Sequence, residues 1–165
     1  MAKKKKVLFI EGTSNKSNGD LSQGFYELLK QELEGHMPKI AMTNGKMQAV
    51  KQFKNSKVAF SFLLIDLDAP EDFKEEKIIE LGLQKKEEWI FFMVQEVEAW
   101  FISQPNILDD YYRIDISSKL KGKHPKKIKK PSELLMKLTK HIPRKQYHKV
   151  KHAIDLLQLL DAQQL

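Results

Sequence analysis

The amino-acid sequence predicts an α/β fold, in which a mostly parallel β-sheet is flanked by helices. Short apolar runs alternate with stretches whose apolar residues recur at helical spacing, the pattern of repeated strand-helix units. The strand-like runs are continuously apolar, which is typical of parallel strands buried on both faces. With 165 residues, 41% hydrophobic and 31% charged, the chain is long enough for one domain with a substantial core.

The elements follow in order along the chain. Strands are predicted at residues 5–10, 39–42, 58–65 and 89–94. Asp20 or Ser22 can cap a first helix, which Gly35 ends. The apolar residues of this helix are Leu21, Phe25, Leu28, Leu29 and Leu33. Further helices are predicted at residues 46–53, 71–81, 132–140 and 147–160, and one begins within residues 96–103.

The segment between the first strand and the first helix is predicted to be a polar loop, residues 12–19. It has glycine at both ends but lacks the Gly-Lys-Ser/Thr ending of a P-loop, which disfavours nucleotide binding there. Lys16 remains a candidate for contact with a phosphate.

The strand signal ends near residue 115. We therefore expect residues 1–115 to form the α/β core and residues 116–165 to form a basic, helical cap within the same domain. Of 29 basic and 22 acidic residues, 13 basic residues and only Glu133 among the acidic ones lie within residues 119–152. An acidic body with a basic segment suits a protein that holds a divalent metal in one place and a polyanion in another. A solvated lysine-rich face is the alternative.

Several classes of protein are disfavoured by composition. No apolar run approaches the length of a membrane span, and residues 7–10 end in a carboxylate, which makes a poor signal-peptide core. The absence of cysteine excludes disulfides, thiolate metal sites and a cysteine nucleophile. We expect a cytoplasmic protein.

Acidic side chains follow three of the predicted strands. Glu11 ends the first strand, Asp66 and Asp68 follow the third, and Glu96 and Glu98 follow the fourth. Because ligands bind at the carboxyl ends of parallel strands, these acids are expected at one edge of the sheet. Carboxylates without His or Cys suit Mg²⁺ or Mn²⁺ rather than zinc. Each acid alone could instead be a solvated loop residue.

Three stretches carry a resemblance to a known family: residues 10–12 (Ile-Glu-Gly), 64–68 (Leu-Ile-Asp-Leu-Asp) and, most specifically, 93–101 (Met-Val-Gln-Glu-Val-Glu-Ala-Trp-Phe). They resemble the Toprim-like family catalogued as domain of unknown function 4276, which is related to OLD-type nuclease Toprim domains. The similarity continues weakly through residues 128–130 and 147–149. It implies a Toprim/Rossmann-like sheet with a Mg²⁺ site.

The resemblance also implies roles for individual residues. Glu11 would be the general acid/base, Asp66 and Asp68 the metal ligands, and Glu98 a catalytic acid and second-metal ligand. Glu96 ranks lower, because the family does not require an acid there. Two departures stand out: members often carry Asp-Ser-Glu at residues 66–68, and a Glu usually precedes the position of Lys130.

A lysine-rich loop is the candidate nucleic-acid interface. Such lysines give sequence-independent, salt-sensitive contacts to phosphates, and Lys130 could stabilise charge on a scissile phosphate. Simple solvation is the alternative. The residues concerned are Lys126, Lys127, Lys129, Lys130 and Lys149.

The leading hypothesis is a metal-dependent phosphodiesterase of Toprim type that cleaves DNA or RNA. The resemblance implies that it is the effector partner of an AAA-type ATPase in bacterial anti-phage defence. The alternative is a non-catalytic metal- or nucleic-acid-binding regulatory subunit of such a complex. A HAD-type phosphatase is disfavoured, since Pro70 stands where a Thr would be needed. Zinc binding at His148 and His152, and base stacking on Trp100 and Phe101, are less favoured than structural roles.

Overall fold

A four-stranded parallel sheet forms the centre of the protein, in a computed structural model that describes residues 5–12, 14–15 and 19–165. The strands are β1 (Lys6–Gly12), β2 (Ser14–Asn15), β3 (Gly19–Asp20), β4 (Lys39–Asn44), β5 (Phe60–Asp66) and β6 (Ile90–Met93). The order in the sheet is β4-β1-β5-β6, and all three neighbouring pairs are parallel. The α/β prediction is therefore confirmed. A separate antiparallel pair, β2 and β3, lies where the sequence predicted a polar loop.

Helices cover both faces of this sheet. The helices are α1 (Ser22–Leu33), α2 (Lys46–Asn55), α3 (Lys74–Glu80), α4 (Glu98–Ser103), α5 (Pro105–Tyr112), α6 (Ser117–Leu120), α7 (Pro131–Thr139) and α8 (Lys151–Leu159). Short 3₁₀ turns occupy Glu71–Phe73, Gln84–Trp89, Pro125–Lys127 and Ala162–Gln164. Within the described residues, no helix is both long enough and apolar enough to cross a membrane.

Two apolar cores result, one on each face of the sheet. Alternate residues of β1 point to opposite faces, so Leu8 and Ile10 lie in the first core and Val7 and Phe9 in the second. The first core is the larger and includes buried side chains from α1, α4, α5, α7 and α8. The second is formed mainly by β1, β5 and α2.

The C-terminal segment packs directly against the sheet layer. At Gly24 of α1, an added Cβ would lie 2.9 Å from Cβ of Leu157 in α8. The two helices are therefore too close for any larger residue at position 24. Leu156 and Leu157 of α8 are fully buried in the same core as Ile10 of β1.

The observed elements differ from the predicted ones mainly at their ends. The predicted 58–65 strand starts only at Phe60. Ser61 Oγ lies 2.7 Å from Ser56 Oγ and donates to the Val58 carbonyl at 3.1 Å, and these contacts form a turn before the strand. The predicted 89–94 strand is only Ile90–Met93. The predicted helix at 71–81 is divided into a 3₁₀ turn and α3.

Candidate active site

Glu11 and Asp66 lie beside each other at the carboxyl edge of the sheet. Glu11 is the next-to-last residue of β1, and Asp66 is the final residue of the neighbouring strand β5. The backbone N–H of Asp66 donates to Glu11 Oε2 at 3.0 Å. This bond holds the Glu11 carboxylate over the end of β5, as the parallel register requires.

The Asp66 side chain then connects β5 to the segment after β6. Its Oδ1 accepts a 2.9 Å hydrogen bond from the backbone N–H of Val97, and the residue is only 8% exposed. Burial raises the pKa of Asp66 well above its usual value, and the negative charges of Glu11 and Glu98 add to this shift. Burial likewise raises the pKa of Glu11, against the opposing charge of Lys46.

Glu98 is the most deeply buried acid of the site. It is 0% exposed, and its Oε1 accepts a 2.8 Å hydrogen bond from the Tyr147 hydroxyl. Its Oε2 has no hydrogen-bond partner among the described residues. Burial raises the pKa of Glu98, while Lys149 and the Tyr147 hydrogen bond act in the opposite direction. A buried carboxylate oxygen without a partner indicates a place for a cation or a proton.

Asp68 takes a different position from the other acids. It has a left-handed backbone (φ 56°), and its N–H donates to the Gln95 carbonyl at 2.8 Å. Its half-exposed side chain forms an ion pair with Lys46. Asp68 therefore lies at the solvent side of the cluster, where Lys46 already compensates its charge.

Glu96, ranked below the others from the sequence, is held by the C-terminal segment. Its Oε2 accepts from the Ser132 backbone N–H at 3.0 Å, and its Oε1 lies 3.7 Å from Lys149 Nζ. Both oxygens therefore have partners from the chain itself, and the contacts assign Glu96 to fixing α7 and Lys149 beside the site.

Lys149 is a second cation of this carboxylate cluster, in addition to Lys46. Burial acts to lower its pKa, but the charges of Glu98, Glu96 and Asp66 outweigh that effect and raise it. Lys149 in turn lowers the pKa of Asp66 and Glu98. Lys149 was predicted from the sequence to contact phosphate, and in the structure it lies beside acidic side chains.

The carboxylate oxygens of the site are the kind of ligand that a divalent metal ion needs. Carboxylate oxygens are the ligands of Mg²⁺ and Mn²⁺, and the orphaned oxygen of Glu98 fits such an ion. Within residues 5–12, 14–15 and 19–165, however, no three acidic or histidine side chains are placed to hold one ion together. The chemistry of the site fits a divalent cation, and binding one would require side-chain rotations.

The predicted basic interface borders the acidic cluster. Lys126 pairs with Glu71 at 3.2 Å, and its carbonyl accepts a 3.2 Å hydrogen bond from the side chain of Gln95, two residues after β6 ends. Lys127, Lys129 and Lys130 are exposed. The segment is thus attached beside the acids through Gln95, and Lys16 falls outside the described residues.

The remaining candidates have structural contacts. His152 Nδ1 lies 2.9 Å from the Tyr112 hydroxyl, and burial lowers the pKa of His152. Phe101 is fully buried, and Trp100 packs edge-on against Phe25 at 6.5 Å. Sequence reasoning missed Tyr147 as the partner of Glu98, and only its position in the weak 147–149 similarity could have indicated it.

The sheet and its acids define a class: a small α/β protein with buried carboxylates at the carboxyl edge of a parallel sheet. The chain belongs to the family described as domain of unknown function 4276 (DUF4276), whose model matches residues 10–165. Membership in the family of domain of unknown function 4276, expected from the sequence, is thereby confirmed. Comparisons with curated proteins and with solved structures gave no match.

Proposed function

We propose that the protein is a metal-dependent phosphodiesterase of Toprim type that cleaves DNA or RNA. The observation that carries this proposal is the cluster of half-buried Glu11 with buried Asp66 and Glu98, in which burial and then the charges of Glu11 and Glu98 raise the pKa of Asp66. A cluster of buried, mutually repelling carboxylates costs stability, and such arrangements are found preferentially at functional sites. The relation to Toprim nucleases rests on the sequence resemblance.

Mg²⁺ or Mn²⁺ is the cofactor in this proposal. Glu11, Asp66, Asp68 and Glu98 would hold it, with Glu98 Oε2 available at the buried side. A bound divalent ion would activate water and neutralise charge on the phosphate.

The chain's own residues would handle the proton and the substrate. Burial raises the pKa of Glu11, which is the direction that suits a carboxyl group acting as general acid/base. Lys149, which interacts electrostatically with Glu98 and Asp66, would contact a phosphate oxygen. Lys126, Lys127, Lys129 and Lys130 would contact neighbouring phosphates of the strand.

The partner in this proposal is an AAA-type ATPase, and the setting is cytoplasmic anti-phage defence. Both come from the family resemblance alone. They imply that cleavage by the isolated chain can be weak and can rise when the ATPase and ATP are added.

The test is a cleavage assay on plasmid, single-stranded DNA and tRNA, with Mg²⁺, Mn²⁺ or EDTA, alone and with the ATPase and ATP. We expect metal-dependent cleavage that Asp66→Asn abolishes, since the amide still accepts from Val97 but carries no charge. Asp72→Asn, at an exposed acid of the Glu71–Phe73 turn, is the matched control and should leave cleavage unchanged. Cleavage that persists in Asp66→Asn would contradict the proposal.

A second candidate function is a non-catalytic metal- or nucleic-acid-binding regulatory subunit of an ATPase complex. The ion pairs of Lys46 with Asp68 and of Lys149 with Glu96 favour it, because the chain then compensates its own acids. Nucleic-acid binding without cleavage, under every condition of the same assay, would identify this function.

A further inference from the structure

A large apolar groove crosses the first face of the sheet, and none of Glu11, Asp66, Asp68 and Glu98 lines it. Its volume is about 860 Å³. The floor consists of Leu8, Phe62 and Leu64, from β1 and β5. Leu33 of α1 forms one wall and Trp100 of α4 another. The proposed function uses none of these side chains.

The groove continues to the free edge of the sheet. Strand β6 is the outermost strand and pairs only with β5 in the described part of the sheet. Phe91, on this edge strand, lines the groove and is 52% exposed. Contiguous exposed apolar surface of this kind, next to an unpaired strand edge, marks an interaction site rather than ordinary protein surface.

The rim of the groove is basic. Lys6, Lys74 and Lys126 line it together with His36 and His124, and Glu71 is the single acidic side chain among its lining residues. Glu71 pairs with both Lys74 and Lys126, so that one carboxylate is shared between two lysines. The rim therefore carries excess positive charge around an apolar floor.

This charge distribution decides between occupants. A second copy of the chain would bring the same lysines against each other, which costs energy at an interface. A partner segment with acidic groups beside apolar ones would satisfy both the floor and the rim. We propose that the groove binds a segment of a protein partner in which Phe or Leu side chains alternate with Glu or Asp.

In this complex the apolar side chains contact Phe91, Phe62 and Trp100, while the carboxylates face Lys6, Lys74 and Lys126. Because Lys126 also belongs to the basic interface described above, the bound segment borders the place assigned to nucleic acid. The inference does not depend on nuclease activity, since Lys126 is the one residue that the groove shares with the proposed catalytic and nucleic-acid-binding residues.

The experiment uses two labelled synthetic peptides, one with Phe and Leu alternating with Glu, and one with Lys at every Glu position. Fluorescence anisotropy should show the acidic peptide binding with a Kd of about 10–100 μM, and the basic peptide at least about tenfold more weakly. Phe91→Ser should weaken the acidic peptide about fivefold to tenfold. Ile79→Ser, at an equally exposed residue outside the groove, is the matched control.

Two further variants keep the test decisive. Leu33→Ser changes the groove wall at a helix end and should weaken binding if Phe91→Ser does not fold. Lys74→Glu should weaken the acidic peptide and strengthen the basic one, whereas Lys57→Glu, at an exposed site elsewhere, should change neither.

Several outcomes would overturn the proposal. Equal binding of both peptides, or no binding below about 1 mM, would exclude an acidic, apolar segment. A wild-type dimer in sedimentation that Phe91→Ser dissociates would identify a second copy as the occupant. Stoichiometric binding of dodecanoate, lost in Phe91→Ser while the peptide does not compete, would identify a small amphiphile instead.

Discussion

Replacing Tyr147 by phenylalanine removes the side-chain hydrogen bond that the described structure gives to the buried carboxylate of Glu98. The Tyr147 hydroxyl donates to Glu98 Oε1 at 2.8 Å, and Oε2 has no partner among the described residues. After Tyr147→Phe this 0% exposed carboxylate would have no hydrogen-bond donor from a described side chain. The phenylalanine ring would still fill the same space, so that packing is preserved.

The expected loss is worked out from this hydrogen bond. A hydrogen bond to a charged group contributes about 1.5–3 kcal/mol, and its loss in a buried site leaves the acceptor desolvated. For a chain of this length, 1 kcal/mol corresponds to about 2–4 °C in Tm. Tyr147→Phe should therefore lower the Tm by about 3–12 °C.

The assay is thermal unfolding followed by circular dichroism, without divalent metal and at low salt. Tyr26→Phe is the matched control, because Tyr26 is 40% exposed on α1. The double variant Tyr147→Phe with Glu98→Gln separates the interaction from packing, since its loss should be smaller than the sum of the single losses. A shift of Tyr147→Phe no larger than that of Tyr26→Phe would refute the reasoning.

The other predictions concern charge. Burial raises the pKa values of Glu11, Asp66 and Glu98, so the folded state binds protons more tightly than the unfolded state. The free energy of unfolding should therefore fall as pH rises above about 4.5. Urea titrations at several pH values should show a smaller fall for Asp66→Asn. Saturating Mg²⁺ or Mn²⁺, at about 100 times its Kd, should stabilise the wild type by about 2.7 kcal/mol, whereas an equal shift of Tm in Asp66→Asn would contradict a metal site there. Lys149→Met should weaken binding of single-stranded DNA and reduce its salt dependence by about one phosphate contact, measured by anisotropy at several salt concentrations, while Lys57→Met should leave both unchanged.

The sequence predicted the order of strands and helices because each strand is a short, continuously apolar run between polar segments. It misplaced ends where side chains compete with the backbone, as at Ser61 and Ser56 before β5. The small β2-β3 pair could not be predicted, since its residues carry no strand pattern and its pairing is antiparallel and local.

For the candidate site, strand ends were sufficient to indicate which acids share an edge. They could not indicate the depth of each acid, because burial depends on the C-terminal helices α7 and α8 that pack against α4. Glu98 is covered through Tyr147, which is 49 residues away in sequence. The separate position of Asp68 depends on its left-handed backbone, which an aspartate at this position does not by itself predict.

Gln95 connects the segment that carries Asp68 to the lysine-rich segment at Lys126. Its backbone, in the left-handed region at φ 63°, accepts from Asp68 N–H and donates to the Ala69 carbonyl, and its side chain donates to Lys126. One buried residue thus acts as a spacer between the carboxylates and the lysines. If the lysines bind a polyanion as proposed, its distance from the acids would be set by the length of a single side chain. A change at position 95 would then move that polyanion while every acid and every lysine stays in the sequence.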